Sequence, residues 1–408
     1  MTQIESGWGA GPSERYEQLA ERFRPTFRRI REGAVAREAA RRLPQEEIGW
    51  LKDLRFGALR VPAESGGAGA TLPELFNLLI ELSEADSNIT QALRGHFGFA
   101  EDIVNSLAPE RRALWLPRLA RGEIVGNAWT EIGGGKVTGF STRLTQRDGA
   151  LWLNGAKYYT TGSYLADWVD VGASDEEGNG VGVTVARDAP GVHIVDDWNG
   201  FGQVLTASGS ATFTDVPVAP GHVVKDEGRP KYFPAFFQLV HLATLAGIGR
   251  AAASDVAEQV ARRRRTYSHA NGPVVARDPQ VLQVVGRVRS AAYTAGAIVL
   301  QNARAVQRAF EAHFAGNEET EDTAVAIAEL EVCQSLTVVS SLILEAATLL
   351  FDALGASATS RELSLDRYWR NARTLASHNP RIYKDRIVGD FAVNGARPPP
   401  QWRIGLPQ

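Results

Sequence analysis

The sequence predicts an α+β chain, with a helical N-terminal region, a β-rich middle and a C-terminal bundle of long helices. Three observations predict it. Apolar residues recur at three- and four-residue spacing before Gly122 and again after Pro230. Between those points, short runs of β-branched and apolar residues alternate with Gly, Asp and Asn. Several helical patterns after Pro230 continue far beyond the length of an ordinary surface helix, as bundle helices do.

In the first region, Ser13 is placed to cap a helix through Arg28, with Tyr16, Leu19, Ala20 and Phe23 as its apolar stripe and Pro25 as a kink point. Leu43 to Leu54 reads as a second helix with Pro44 in its first turn. The glycines of Ala63 to Gly69 make a loop. Thr71, with Glu74 three positions on, then forms a capping box for Leu72 to Ala85. Helices over Ile89 to Leu107 and Pro109 to Ala120 complete the region. The middle region carries six strand signals: Ser141 to Thr145, Leu151 to Asn154, Trp168 to Gly172, Gly180 to Val185, His193 to Asp196 and Ser210 to Phe213. Their short spacing predicts an antiparallel sheet or small barrel. Helices over Tyr232 to Arg265, Pro279 to Phe314, Glu321 to Leu354 and Leu363 to Ser377 follow, and Ala396 to Pro400 ends the regular structure.

The composition narrows function. With 44% hydrophobic and 22% charged residues and a net charge of 44 − 47 = −3, the chain is neither fibrous, disordered nor a basic nucleic-acid binder. A lone cysteine, Cys333, makes no intrachain disulfide, and the dispersed histidines show no metal-ligand spacing. Met1 to Gly11 lacks an apolar signal segment, so a cytoplasmic location is expected. The charge-free run Tyr232 to Gly249 contains Pro234, Gln238 and His241 and reads as a buried helix, not a membrane span. No dinucleotide fingerprint, phosphate loop or HExxH motif occurs.

Three segments carry possible chemistry. Gly126 to Glu131 sets small residues beside Trp129, which suits either a planar aromatic cofactor or a strand edge with a core tryptophan. Leu153 to Ser163 contains an Asn-Gly hairpin signal at Asn154-Gly155, then hydroxyls at Thr160, Thr161 and Ser163 that suit either cofactor heteroatoms or ordinary strand pairing. Arg262 to Arg265 supplies four positive charges, fit for a cofactor phosphate or for a solvated helix end.

Taken in this order, the segments resemble the acyl-CoA dehydrogenase superfamily across nearly the whole chain. The likeness rests on Ala128-Trp129-Thr130-Glu131, Leu153 to Gly162 and Trp198 to Ser210. It implies an acyl-CoA dehydrogenase-like fold with an N-terminal helical domain (13–122), a middle β domain (123–229), a C-terminal helical bundle (230–395) and an arm (396–408). Homotetrameric assembly is also implied. In the dehydrogenases a catalytic glutamate stands near the position of Asn379 or on the helix entering the bundle. Here Asn379 is an amide and Tyr232 to Arg250 contains no carboxylate, so the base that would remove an acidic α proton is missing.

Asn371-Ala372-Arg373-Thr374 and Ser377-His378-Asn379-Pro380, with Tyr383-Lys384 and Gly389-Asp390, resemble instead the flavin-dependent monooxygenase branch that oxidises dibenzothiophene and alkyl-sulfur compounds. That resemblance implies FMN used as FMNH2, molecular oxygen as co-substrate and a separate NAD(P)H-dependent flavin reductase as partner. It also implies transfer of one oxygen atom from a C4a-hydroperoxyflavin to a small organosulfur molecule. The site it implies has His378, Ser163 and Asn127 as catalytic residues. Asn127, Trp129, Thr130, Thr161, Ser163, Trp198, Arg264, Arg265 and Arg373 hold the cofactor, and His96, Trp198 and His378 face the substrate. His378 is expected to exchange a proton near neutral pH. The alternatives are a flavin-dependent N-hydroxylase, an acyl-CoA dehydrogenase-like oxidoreductase with a displaced base, and a noncatalytic flavin-binding assembly protein.

Overall fold

The computed structural model describes residues 2–132, 139–225 and 229–400. Seven helices precede the sheet: α1 (Tyr16–Glu21), α2 (Arg24–Ala39), α3 (Gln45–Asp53), α4 (Leu72–Ala85), α5 (Ser87–Ala92), α6 (Arg94–Asn105) and α7 (Pro109–Ala120). The single helix expected from Ser13 is broken at Arg22 and Phe23. Pro25 therefore lies in the first turn of α2, where its missing N–H costs nothing. Ser13 does not cap; its hydroxyl donates to Glu74 at 2.5 Å. The helix expected over Ile89 to Leu107 is likewise two helices, divided at Leu93.

Among the described residues eight strands follow: β1 (Val125–Ala128), β2 (Arg143–Arg147), β3 (Ala150–Lys157), β4 (Trp168–Ser174), β5 (Gly180–Ala186), β6 (Val192–Val195), β7 (Ser210–Val218) and β8 (Val223–Lys225). They form one sheet in the order β6-β7-β3-β2-β4-β5-β8, with β1 also paired to β4. The sheet is mixed, not purely antiparallel, because β4 pairs in parallel with both β1 and β2. The β2–β3 hairpin turns at Asp148-Gly149, both at positive φ. Asn154-Gly155, expected to be the turn, lies inside β3 where its register against β7 shifts.

The C-terminal helices are α8 (Phe233–Arg262), α9 (Pro279–Phe314), α10 (Glu318–Leu349), α11 (Asp366–Ala376) and α12 (Ile382–Asn394). Helix α12 was not expected, since its polar, tyrosine-containing sequence has only a weak apolar stripe. Two helical segments, Phe233–Arg262 and Glu318–Ala353, are long and apolar enough to cross a membrane by composition. In the first, 94% of the apolar window is buried inside the protein. Leu75, Phe76 and Leu79 of α4 share one core with Leu239, Val240 and Ala243 of α8 and with Val299 of α9. The two ends of the chain are thus packed together, and the sheet keeps a core of its own around Val169, Val171 and Val183. The arm beyond Pro400 lies outside the described residues.

The capping box forms as expected: the Thr71 hydroxyl accepts from the Glu74 N–H, and Glu74 accepts the Thr71 N–H at 2.8 Å. Thr71→Ala strips one of those bonds from the helix that joins the two helical regions. It is expected to lower stability by about 1 kcal/mol. Urea unfolding should show this as a lower midpoint with an unchanged m-value.

Candidate active site

The junction of α5 and α6, residues 91 to 95, is packed from two directions. Asp86 sets it up by capping α5, accepting the Asn88 N–H at 3.0 Å. The buried Arg37 in turn holds Asp86, at 2.5 Å, together with Glu47 at 2.9 Å. From the sheet side come Asn127 at the end of β1 and the turn before Ser163. Gly95 leaves room for Asn127, since a methyl at position 95 would fall 2.5 Å from its amide oxygen. Gly162 sits at φ +77° against the Ala92 carbonyl, where any Cβ would overlap that oxygen. The buried Ser163 hydroxyl donates to the Asn127 carbonyl at 3.1 Å. The Asn127 side-chain oxygen is buried without a hydrogen-bond partner among the described residues.

From the bundle side come α8 and the turn after α11. Gln91 Nε2 lies 3.4 Å from His241 Nε2, and the His241 and His378 rings stack at a tilt, 4.3 Å between centroids. Arg94 donates through Nε to the Phe237 carbonyl at 3.4 Å and lies over the Phe237 ring at 4.6 Å. His378 is placed by the end of α11, where its N–H bonds to Leu375, the Ser377 hydroxyl folds back onto Arg373, and Pro380 forbids another helical turn.

Both imidazoles are neutral at pH 7. Burial, then the repulsion that a protonated His378 would exert, then the Arg94 charge hold His241 well below the usual range. His378 meets solvent on its open side, yet the protein crowded around it and the Arg94 charge bring it down to about 3, against a small opposing bond to Asn379. That lowering works against the proton exchange near neutrality expected of His378. At pH 7 its ring is a neutral hydrogen-bonding group. Among the described residues, no carboxylate is a cause of either ring's shift.

A polar network joins this cluster to the Trp198 loop. The Asn371 side chain accepts the Gln203 N–H at 2.6 Å and donates to Glu38 at 3.1 Å, and the Gln203 amide reaches Ser87 on α5 at 3.1 Å. Trp198 is half-buried, with its indole N–H on the Gly202 carbonyl at 3.2 Å. Thr161 pairs with Ser208 at 2.7 Å, close to Ser163 in the chain, and Thr130 bridges to Tyr158.

Other expected site residues are occupied elsewhere. Trp129 donates to Asp170 at 2.8 Å and lies under Arg229, so its indole serves the sheet. His96 is fully buried. One ring nitrogen meets the Gly57 carbonyl at 2.9 Å and the other accepts the Val125 N–H at 3.2 Å, which leaves neither for a substrate. Helix α8 ends at Arg262, and the exposed Arg264 and Arg265 follow it, next to Arg263, which binds the Ala353 carbonyl at 3.3 Å. They are not brought to the α5–α6 junction within one chain. Arg373 is half-buried on α11. Gln91, Arg94, Phe237 and His241 were missed; two polar residues inside apolar helical stretches, Arg94 and His241, were the available signal.

Two family models match the chain: the acyl-CoA dehydrogenase N-terminal domain over residues 13–123 and the acyl-CoA dehydrogenase C-terminal domain over residues 239–380. Together they span more than half of it, one on each side of the sheet. The chain belongs to the acyl-CoA dehydrogenase superfamily. Within that superfamily it is similar to a probable FMNH2-dependent monooxygenase, SfnC, of Pseudomonas putida, 28% identical over 90% of this chain and 93% of the relative. The crystal structure of FMN-bound TdsC, a dibenzothiophene monooxygenase from Paenibacillus sp. A11-2, has a TM-score of 0.86 and 27% identity over 94% of this chain and 99% of that one. The methanesulfinate monooxygenase MsuC of Pseudomonas fluorescens has a TM-score of 0.82 and 26% identity, covering 94% of this chain and 98% of that one.

His96 gives this superfamily member a specific acid response. Burial holds its imidazole at about 4, against an ordinary 6.5. Between those values the unfolded chain takes up a proton that the folded one refuses, so falling pH favours unfolding. The contribution approaches 1.4 kcal/mol per pH unit. Urea midpoints measured from pH 6.5 down to 4.5 should fall less steeply for His96→Gln than for the unchanged protein; equal slopes would remove His96 from the account.

Proposed function

We propose that this chain is a two-component monooxygenase that uses FMNH2 and molecular oxygen to put one oxygen atom onto a small organosulfur substrate. The reduced flavin comes from a separate NAD(P)H-dependent flavin reductase. The observation that carries this reading is the ring pair His241 and His378 beside Asn379, a cluster with no carboxylate among the described residues. A base for α-proton removal is missing where the superfamily's dehydrogenases need one. The likeness to SfnC, TdsC and MsuC supports the same choice.

The residues present fit a flavin. Asn127 and Ser163 offer neutral amide and hydroxyl groups, and the orphaned Asn127 oxygen suits a ring N–H. Trp198 offers an aromatic wall, and Thr161 and Thr130 offer hydroxyls from the turn before Ser163 and from the bridge to Tyr158. Arg373 suits the phosphate, and Arg264 and Arg265 would reach it only from a neighbouring subunit. When bound, the reduced flavin supplies the two electrons that divide O2 between the substrate and water. The chain's own part is to orient and to exclude solvent. His378, exposed on one side, donates its N–H to an incoming oxygen atom, while the His241 ring packs against it and Gln91 meets His241.

His378→Asn should keep FMN affinity and assembly but lower oxygen transfer on the order of 100-fold, as loss of an oriented donor does. Rapid mixing of the FMNH2 complex with oxygen and a thioether, with products read by mass, measures this. Between pH 5.5 and 8 the rate should show no ionisation of His378. An unchanged rate in the variant would exclude a chemical role.

We infer a homotetramer as well. Only 44% of the apolar window of Glu318–Ala353 is covered within one chain, and a second copy is the natural cover for it. Sedimentation should show four chains per particle, with monomers alone counting against this arrangement.

A further inference from the structure

Resting on the oxygenase reading above, the structure assigns a charge to the substrate. We propose that Arg94 is the substrate's anion-binding residue, and that the natural substrate is an organic anion whose carboxylate, sulfinate or sulfonate pairs with this guanidinium.

Arg94 opens α6 beside the cluster of Gln91, His241 and His378. Its guanidinium has the Phe237 ring on one side and a long bond to the Phe237 carbonyl, and no carboxylate pairs with it among the described residues. Several buried or half-buried arginines of the N-terminal region are matched, Arg24 to Glu17 and Glu81, Arg37 to Glu47 and Asp86, Arg60 to Glu101, and Arg111 to Asp102, whereas Arg112 and Arg118 of α7 bond backbone carbonyls away from the imidazole cluster. Burial lowers Arg94 only to about 10, so it remains a cation at pH 7. The two imidazoles beside it are neutral and supply no counter-charge. A desolvated cation without a counter-ion is unfavourable, and an arriving anion relieves it.

The surroundings limit what that anion is. Phe237 is an apolar wall, and the ring of His378 meets the same charge, so the cation and the oriented N–H act on one ligand. A planar carboxylate, or the oxygens of a sulfinate or sulfonate, matches the guanidinium fork. An apolar remainder with an oxidisable sulfur suits the Phe237 side. Arg94 therefore positions the substrate, and the neutral amide of the same compound lacks the group that the site pairs.

The test compares 3-(methylthio)propanoate with its primary amide, on the unchanged protein, Arg94→Gln and Arg94→Lys. Calorimetric binding without flavin should detect the carboxylate and not the amide, and Arg94→Gln should abolish that difference. In turnover with FMNH2, kcat/KM for the carboxylate should exceed that for the amide by roughly 30-fold or more, the loss expected when one member of a buried charge pair is removed. Arg94→Gln should bring the carboxylate down by a similar factor through KM, so that carboxylate and amide turn over alike, with FMN affinity retained. Arg94→Lys should recover part of the preference and serves alone if the glutamine variant fails to fold. Equal binding of carboxylate and amide to the unchanged protein overturns the proposal. Loss of FMN affinity in Arg94→Gln also overturns it, because Arg94 then serves the cofactor. Selective carboxylate binding without any oxygenated product would instead reject the oxygenase reading and leave the anion site standing.

Discussion

The architecture depends on how closely β1 and its neighbours approach the α5–α6 junction. Gly95 gives up its side chain to Asn127, and Gly162 takes a left-handed conformation to lie on the Ala92 carbonyl. These two contacts bring the sheet against the same five residues that α8 reaches from the other side through Phe237 and His241. A larger residue at position 95 or 162 would have to push the sheet from the helices, because the atoms it meets are held on both sides. The site is thus a product of close packing between three segments far apart in the chain.

Charge is distributed with equal economy. Around the junction, burial of arginine is compensated: Arg37 holds the cap of α5, and Arg60 holds Glu101, which also accepts the Tyr232 hydroxyl at 2.7 Å at the start of α8. Such pairs add little net stability compared with apolar packing, but removing one partner strands the other, so they define geometry. Inside the cluster the pattern changes, among the described residues, to one arginine, two imidazoles and no carboxylate. That contrast separates this chain's chemistry from proton abstraction by a glutamate, on a fold that accommodates both.

Much of the fold was legible in local sequence. Thr71 and Glu74 specify a helix start by themselves, and Pro279 to Phe314 is bounded by a capping Asp278 and an unbroken apolar repeat. Less legible were features that depend on distant partners. Val125 to Ala128 and Val223 to Lys225 are too short to declare themselves and become strands only because β4 and β5 present free edges. Asn154-Gly155 has the composition of a turn, but pairing with β7 keeps it extended, and Asp148-Gly149 turns instead. The break at Leu93 has no proline to announce it, and Gly95, two residues on, falls inside α6.

The site divides along the same line. The sequence alone determined the order of helical, β and helical regions, the missing carboxylate at Asn379 and across Tyr232 to Arg250, and the family resemblance that singled out His378, Asn127 and Ser163. These are properties of residue identity and near-neighbour spacing. Only the tertiary structure decided that His96 and Trp129 serve backbone and sheet, that His241 stands behind His378, and that Arg94 shares their surroundings without a carboxylate. Protonation and counter-ion pairing are set by whatever surrounds a group in space, and for His378 those surroundings come from residues 91 to 94 and 237 to 241, more than a hundred positions away along the chain.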